Sequence, residues 1–193
     1  MRNESLTRAP RMEGNSPQID DLRLLRKTAA GDEKAFHELV DRHSQRMFRL
    51  AVAMVGNAAD AEDVVQEAFT GAFRGINGFE GRSSVKTWLT RILITQAAKW
   101  RRDKKRRKTS SLDAAPEQVG APGGEARVGQ QIDLQAAIAQ LSVEHREVIV
   151  LREFEQMSYD EMAQALDVPR GTIESRLHRA RLELREKLAA YLA

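Results

Sequence analysis

Apolar residues recur every three or four positions through two long stretches of the chain, 19–103 and 132–193. This spacing places them on one face of a helix, as in an amphipathic helix packed against a core. No stretch of useful length alternates apolar and polar residues as a strand would. The pattern therefore predicts an all-α protein with two small helical domains joined by a flexible linker.

The first stretch divides into four predicted helices. A short helix starts at Ile19 and ends at Gly31, and Asp32 is placed to cap the second. Asp60 is placed to cap the third, and the fourth starts at Val85 after a loop containing glycine and serine. We interpret His43, on the apolar face of the second helix, as a core or boundary histidine rather than a metal ligand.

The second stretch contains a short helix, a tight turn and a longer helix. Ser142 is placed to cap an earlier helix, and Ser158 and Glu161 have the spacing of a capping box. Pro169 separates the short helix from the long one. The long helix carries one apolar stripe, formed by Ile173, Leu177, Ala180, Leu184 and Leu188. With its basic polar outer face, this arrangement predicts a helix-turn-helix whose second helix enters the DNA major groove.

Charge is distributed unevenly along the chain, although the net charge is only +3. Residues 85–108 contain ten Lys and Arg against one Asp, a net +9, whereas residues 58–69 contain four acids and no base, a net −4. The basic segment could be a solvated tail, but its continuity with a basic helix face favours a track for phosphates. The acidic segment could complement its own helix dipole, or it could dock a basic partner.

The amino-acid composition excludes several kinds of site and of protein. The chain has no cysteine, which excludes disulfides, thiolate zinc sites and a cysteine nucleophile. No apolar run approaches the roughly 18 residues of a membrane span, and no secretory signal is recognisable at the N-terminus, so we expect a cytoplasmic protein. Residues 1–18 are expected to form a disordered tail, and residues 104–131, basic and then rich in Pro, Gly and Ala, to form the linker.

Two longer motifs indicate a family. The first is Asp60-Ala-Glu-Asp-Val-Val-Gln-Glu-Ala-Phe, followed by Phe79-x-Gly-x-Ser-x-x-x-Thr-Trp-Leu-x-Arg-Ile. The second combines Leu141-Ser-x-x-x-Arg-Glu-Val-Ile-Val-Leu-Arg-Glu with Val168-Pro-x-Gly-Thr-Ile-x-Ser-Arg-Leu-x-Arg-Ala-Arg. They resemble the second and fourth conserved regions of the sigma-70 family, in its extracytoplasmic-function (ECF) group.

The resemblance implies a dissociable promoter-specificity subunit of bacterial RNA polymerase, which is not an enzyme and needs no cofactor. Residues 19–103 would bind core polymerase, on the clamp helices of its largest subunit, and the −10 promoter element. Residues 132–193 would bind the −35 element and the flap of the second-largest subunit. The resemblance also implies an anti-sigma factor as a partner.

The resemblance assigns site residues to each surface. The polymerase-binding residues would be Asp60, Glu62, Asp63, Gln66 and Glu67. The residues that melt and read the −10 element would be Phe79, Arg82, Ser83, Ser84, Lys86, Trp88, Arg91, Thr95, Lys99, Arg101 and Arg102. The residues of the recognition helix at the −35 element would be Arg170, Gly171, Thr172, Glu174, Ser175, Arg176, His178 and Arg179.

Two other classes of protein fit the sequence less well. A stand-alone helix-turn-helix regulator would bind duplex DNA by itself and would need a sensor or dimerisation domain, for which residues 1–100 offer no ligand motif. A helical di-iron enzyme would need Glu-x-x-His motifs, and none of the four histidines has a Glu three residues before it. Neither a P-loop nor a nucleophile elbow is present.

Overall fold

A computed structural model describes residues 17–110 and 134–192, and every regular element in these two ranges is helical. The predicted all-α class with two helical domains is confirmed. The predicted tail lies almost wholly outside the described residues, and so does most of the predicted linker.

The N-terminal domain is a bundle of four helices around one apolar core. Its elements are α1 (Pro17–Ala29), α2 (Glu33–Val55), α3 (Ala58–Gly75), a 3₁₀ turn (Ile76–Gly78) and α4 (Val85–Ser110). The core contains fully buried side chains of α2, Leu39 and Met47, and of α4, Leu89 and Leu93, as the spacing of apolar residues predicts.

Of the two helix caps predicted for α2 and α3, one is confirmed and the other is wrong. Asp32 caps α2, where its carboxylate accepts a hydrogen bond from the Ala35 amide at 3.2 Å. The prediction that Asp60 caps α3 is wrong, because Asn57 is the cap and accepts from the Asp60 amide at 2.9 Å. Ala58 and Ala59 are strong helix formers, so the helix starts before Asp60.

Helix α4 is longer than the sequence patterning indicates. It does not end at residue 103 but continues through the basic run to Ser110. Lys and Arg lose little rotamer freedom in a helix, and this run contains neither glycine nor proline. The basic segment therefore begins as a rigid extension of the N-terminal domain.

The C-terminal domain contains the helix-turn-helix. Its elements are α5 (Leu134–Ala139), α6 (Val143–Ile149), a π-helical turn (Val150–Phe154), α7 (Tyr159–Leu166) and α8 (Arg170–Leu192). Ser142 caps α6, and the capping box of Ser158 and Glu161 opens α7 with both of its hydrogen bonds formed. Helix α7 ends at Asp167, whose left-handed φ of 54° turns the chain toward α8.

The two domains pack against each other. Helix α7 lies on α4, while α5 and α6 contact α2. Ion pairs cross this boundary from Arg46 to Glu155 and from Arg101 to Glu147. The covered face of α4 is the face that carries several of the predicted DNA-binding cations.

Candidate nucleic-acid and polymerase interfaces

The recognition helix α8 separates a buried stripe from a polar face. Ile173, Leu177 and Ala180 are fully buried against the domain core. On the other side, the predicted contact residues Ser175, His178 and Arg179 are exposed. The turn and the capping box fix the angle between α7 and α8, so this polar face projects from the domain as one surface.

The N-terminal end of α8 is a cluster of charges around Arg170. Its guanidinium lies 3.1 Å from both the Asp160 and the Glu174 carboxylates, and over the ring of Tyr159. Beside it, a Cβ built on Gly171 would meet no atom within 4 Å among the described residues. This end of the helix therefore has open space for a close approach, and its cation is held in place by carboxylates.

Three of the predicted recognition residues interact with other groups of the C-terminal domain. The Thr172 carbonyl accepts a hydrogen bond from the Ser175 hydroxyl at 3.0 Å within the helix. Arg176 is half-buried and lies on the side of α8 toward Glu147, whose ionised form it favours. Arg176 therefore faces the interior of the domain more than the exposed members of the set, Ser175, His178 and Arg179.

A cleft of about 450 Å³ lies between the 77–84 loop and α4. The rings of Phe79 and Trp88 pack within it at a centroid distance of 5.1 Å and an angle of 58°. Six predicted −10 residues line this cleft together: Phe79, Arg82, Ser83, Trp88, Arg91 and Thr95. Gly71, Ile92 and Gln96 also line the cleft, although the sequence patterns did not assign them to a site, and Gly78, Glu80 and Gly81 of the loop form the rest of its wall.

The other predicted −10 residues lie on α4 outside the cleft. Ser84 caps the helix, since its hydroxyl accepts from the Thr87 amide at 3.1 Å. Lys86 donates to the Glu155 carbonyl at 2.8 Å, and Arg101 lies 2.9 Å from the Glu147 carboxylate. Lys99 and Arg102 are exposed. The structure therefore divides the predicted set into a cleft, a cap, two cations held by the C-terminal domain and two exposed cations.

The acidic face of α3 consists of four exposed residues and one that is engaged within the chain. The exposed members are Glu62, Asp63, Gln66 and Glu67. Asp60 is half-buried, and its carboxylate accepts from Asn57 and from Lys104 at 3.1 Å. Burial opposes ionisation of this carboxyl, but hydrogen bonds from Asn57, Lys104 and Trp100 outweigh burial and hold the pKa of Asp60 below its ordinary value.

Arg46, which the sequence patterns did not single out, lies at the boundary between the domains. It donates to the Thr90 hydroxyl at 3.1 Å and to the Glu155 carboxylate at 2.8 Å. The signal in the sequence is weak: Arg46 adjoins Met47 on the inward face of α2, where a basic residue needs a partner. Similarly, Arg91 at the cleft lies 3.5 Å from Asp167 in the turn before α8.

Metal sites and membrane spans are both missing from residues 17–110 and 134–192. Within these ranges, no three His, Asp or Glu side chains are grouped so that they could hold a metal ion. None of the helices described there is both long and apolar enough to cross a membrane.

Comparison with known proteins places these surfaces in a family. Residues 39–107 match the family model described as Sigma-70 region 2, and residues 131–184 match Sigma-70, region 4. The ECF RNA polymerase sigma-E factor of Escherichia coli is 35% identical over 185 residues, which are 90% of this chain and 96% of that factor. The chain belongs to the sigma-70 family, in its ECF group. It is therefore an alternative sigma factor, which directs RNA polymerase to promoters.

Other relatives agree in sequence and in fold. The ECF RNA polymerase sigma factor SigE of Mycolicibacterium smegmatis is 36% identical over 174 residues, which cover 84% of this chain and 66% of that factor. Among solved structures, the sigma factor RpoE bound to the anti-sigma factor NepR, from Bartonella quintana, superposes with a TM-score of 0.66 at 28% identity. That match covers 81% of this chain and 98% of the solved one.

Proposed function

We propose that this ECF sigma factor opens promoters by capturing an unstacked base of the −10 element in the cleft between the 77–84 loop and α4. The observation that carries the proposal is that six residues assigned to the −10 element by the family resemblance, two of them aromatic, line one cleft. An extruded base needs an enclosed pocket, stacking partners and groups that read its edge. Phe79 and Trp88 offer the stacking faces, and Thr95 and Gln96 offer polar groups for the base edge.

The cations around the cleft have a complementary role. Arg82 and Arg91 lie at the cleft itself, and Lys99 and Arg102 continue the basic face along α4. Phosphate contacts of this kind supply affinity and register, whereas the cleft supplies the choice of base. This division matches what promoter melting requires, because one strand must be held single while the rest of the duplex stays paired.

The −35 element is read by the N-terminal half of α8. Ser175, His178 and Arg179 are exposed on the face that would enter the major groove. Arginine suits guanine, to which a bidentate pair contributes about 1–3 kcal/mol of discrimination. Arg170 exchanges its contacts with Asp160 and Glu174 for DNA contacts at this step.

The exposed acids of α3 dock on core polymerase. Glu62, Asp63 and Glu67 form a negative surface that fits a basic partner, for which we propose the clamp helices of the largest subunit. Asp60 stabilises the start of α3 beneath this surface, because its carboxylate pairs with the Lys104 ammonium of α4. The C-terminal domain contacts the flap of the second-largest subunit. An anti-sigma factor controls the chain, by analogy with the Bartonella relative that was solved with one.

The first experiment measures binding of the purified full chain to bacterial core RNA polymerase. The test variant combines Asp63→Lys with Glu67→Lys, and Asp41→Lys on the exposed side of α2 is the control for reversal of an exposed acidic charge elsewhere in the domain. We expect tight binding by the wild type and the control, and weakened binding by the test variant. Equal binding by all three would show that core polymerase binds a surface other than the acidic face of α3. Absence of core binding, with stable sequence-specific binding to duplex DNA by the chain alone, would replace the proposal with a simple regulator.

A further inference from the structure

Glu155 of the C-terminal domain is inserted between two cations of the N-terminal domain. Its carboxylate lies 2.8 Å from the Arg46 guanidinium and 3.6 Å from the Lys86 ammonium. The Lys86 ammonium also donates to the Glu155 backbone carbonyl at 2.8 Å. Only 8% of the Glu155 side chain is exposed, so this is an enclosed ionic contact rather than a surface pair.

The carboxylate that these two cations share comes from the other domain. Within the N-terminal domain, Arg46 donates to neutral groups, the Thr90 hydroxyl and the Lys86 carbonyl. Among the described residues, Glu155 is the only one whose carboxylate lies within ion-pair distance of Arg46 or Lys86. The buried Nε of Arg46 has no hydrogen-bond partner in the described part of the chain, so even Glu155 leaves the guanidinium incompletely satisfied.

This pair of cations lies on the side of α4 that faces α2 and the C-terminal domain. At about 100° per residue, Lys86 and Thr90 lie roughly opposite Trp88 and Thr95, which line the cleft, and Arg91 lies between the two sides. Arg91 also faces a carboxylate of the other domain, that of Asp167 at 3.5 Å. Carboxylates from the C-terminal domain thus pair with Arg46 of α2 and with cations on two sides of α4.

We infer that Arg46 and Lys86 form a phosphate-binding site for a strand of promoter DNA, and that Glu155 occupies this site in the free chain. A phosphodiester carries the same charge as a carboxylate and offers oxygens to a guanidinium in a similar geometry. The site assigns a DNA contact to Arg46, on α2, and an inhibitory role to Glu155. The inference rests on the proposed function and deepens it.

Competition between Glu155 and DNA has a measurable consequence. A strand can bind only the fraction of molecules in which Glu155 has left the site, so the apparent affinity falls by that fraction. Replacing Glu155 by Gln removes the charge that competes with phosphate while preserving the volume of the side chain. The variant should bind single-stranded DNA more tightly without any new contact to the strand.

The test is fluorescence anisotropy of the full chain with a labelled, mixed-sequence single-stranded DNA of about 15 nucleotides, a length in the range of single-strand site sizes, over a series of salt concentrations. We expect Glu155→Gln to bind about tenfold more tightly than the wild type. Adding Arg46→Gln should remove that gain and reduce the salt slope by about 0.7, the value for one lost phosphate contact on a single strand. Glu153→Gln is the matched control on the same π-helical turn, where Glu153 pairs with Arg181, and should bind as the wild type does.

A further variant, Arg46→Lys in the Glu155→Gln background, tests whether Arg46 contacts phosphate or only supports the fold. Because lysine keeps the positive charge, this variant should keep the salt dependence of DNA binding that Arg46→Gln reduces. Far-ultraviolet circular dichroism verifies that each variant is folded. The inference is overturned if Glu155→Gln binds no more tightly than the wild type, or if adding Arg46→Gln to it leaves both the gain and the salt slope unchanged. Core polymerase is absent from this assay, so failure of the docking proposal would appear only in the core-binding experiment.

Discussion

His43 lies inside the N-terminal domain, with its Nε2 2.9 Å from the Asp21 carboxylate. Burial lowers its pKa below the ordinary 6.5, against the opposing effect of Asp21 and with a further contribution from Arg46. The folded state therefore favours neutral imidazole. Its stabilising contribution is fully present above about pH 6.5 and is lost as the pH falls through the lower folded-state pKa.

We therefore expect the free energy of unfolding to decrease from about pH 7.5 to pH 5.5, with His43 contributing at most about 1.4 kcal/mol per pH unit. The measurement is urea denaturation at several pH values. The His43→Gln variant should show a flatter dependence, whereas the exposed-site control His37→Gln should match the wild type. An unchanged slope in His43→Gln would contradict the assignment.

Gly171 gives a prediction in which stability and function change in opposite directions. Its position in the first turn of α8 has room for a Cβ, so Gly171→Ala should stabilise the fold by about 0.5 kcal/mol. If the DNA backbone approaches α8 closely here, the same methyl group should weaken promoter binding by the holoenzyme. Urea denaturation measures the first effect, and retention of selected promoter fragments measures the second.

The control for Gly171 is Gly75→Ala. Gly75 ends α3, also has open space at its Cβ, and belongs to none of the proposed surfaces. It should change promoter binding by less than the error of the assay. Promoter binding by Gly171→Ala equal to that of the wild type would show that the absence of a side chain at this position has no role in recognition.

The clearest successes of sequence reasoning concern residues whose partners are close in the chain, and its clearest failure concerns a residue whose partner is distant. The Ser158 and Glu161 pair and the inward position of His43 follow from spacing alone, and both are confirmed. Arg46 was missed because its partner Glu155 is 109 positions away, and nothing in local periodicity connects the two. The cap of α3 was misplaced by three residues because Asn57 and Asp60 are both good caps.

At the scale of elements, the capping box of α7 is the strongest local determinant of the helix-turn-helix. The Ser158 hydroxyl accepts from the Glu161 amide, while the Glu161 carboxylate accepts from the Ser158 amide at 2.8 Å. Ser158→Ala should lower the free energy of unfolding by about 1 kcal/mol. Ser44→Ala, at a serine whose hydroxyl donates to the Asp41 carbonyl within α2, is the control and should have a smaller effect. Equal losses in urea denaturation would count against the cap.

The π-helical turn at Val150–Phe154 is the element that the sequence pattern describes least well. Periodicity indicates one helix from Ser142 through Phe154 with Phe154 inward, but the wider turn leaves Phe154 60% exposed and places Glu155 against the other domain. A π-helical turn holds about one residue more than an α-helical turn, so it shifts by about one position which side chains face the core. The spacing of apolar residues in this segment does not show where such a shift occurs. The residue that follows this turn, Glu155, pairs with Arg46 of the other domain, and local periodicity contains no signal for that contact.

At the scale of the whole molecule, the sequence yields two helical domains and the residues of the cleft, but not the packing of one domain on the other. That packing combines helix contacts, such as α7 on α4, with ion pairs between residues that are individually ordinary, such as Arg101 and Glu147. Opposite charges are abundant in the chain, and spacing cannot indicate which of them meet. The cleft could be anticipated because the 77–84 loop and the start of α4 are adjacent in sequence.

Glu147 provides the last prediction, because it is a buried carboxylate at the domain boundary. Burial raises its pKa, while Arg101, 2.9 Å away, favours the ionised form. Arg101→Gln should leave this carboxylate without its nearest cation and favour separation of the domains by about 2 kcal/mol. This is less than the roughly 3–5 kcal/mol typical of a fully buried pair, since Arg146 and Arg176 also attract it. Such a change shifts the equilibrium between packed and separated domains about thirtyfold.

The radius of gyration from small-angle X-ray scattering should increase in Arg101→Gln and remain that of the wild type in Arg102→Gln, the exposed neighbour. Glu147→Gln should have a smaller effect, because an amide can be buried at less cost than an unpaired charge. Combining Arg101→Gln with Glu147→Gln should therefore restore part of the compact form, a non-additivity expected only if the two side chains interact directly. A double variant as expanded as Arg101→Gln alone would show that the cation holds the domains together through another group.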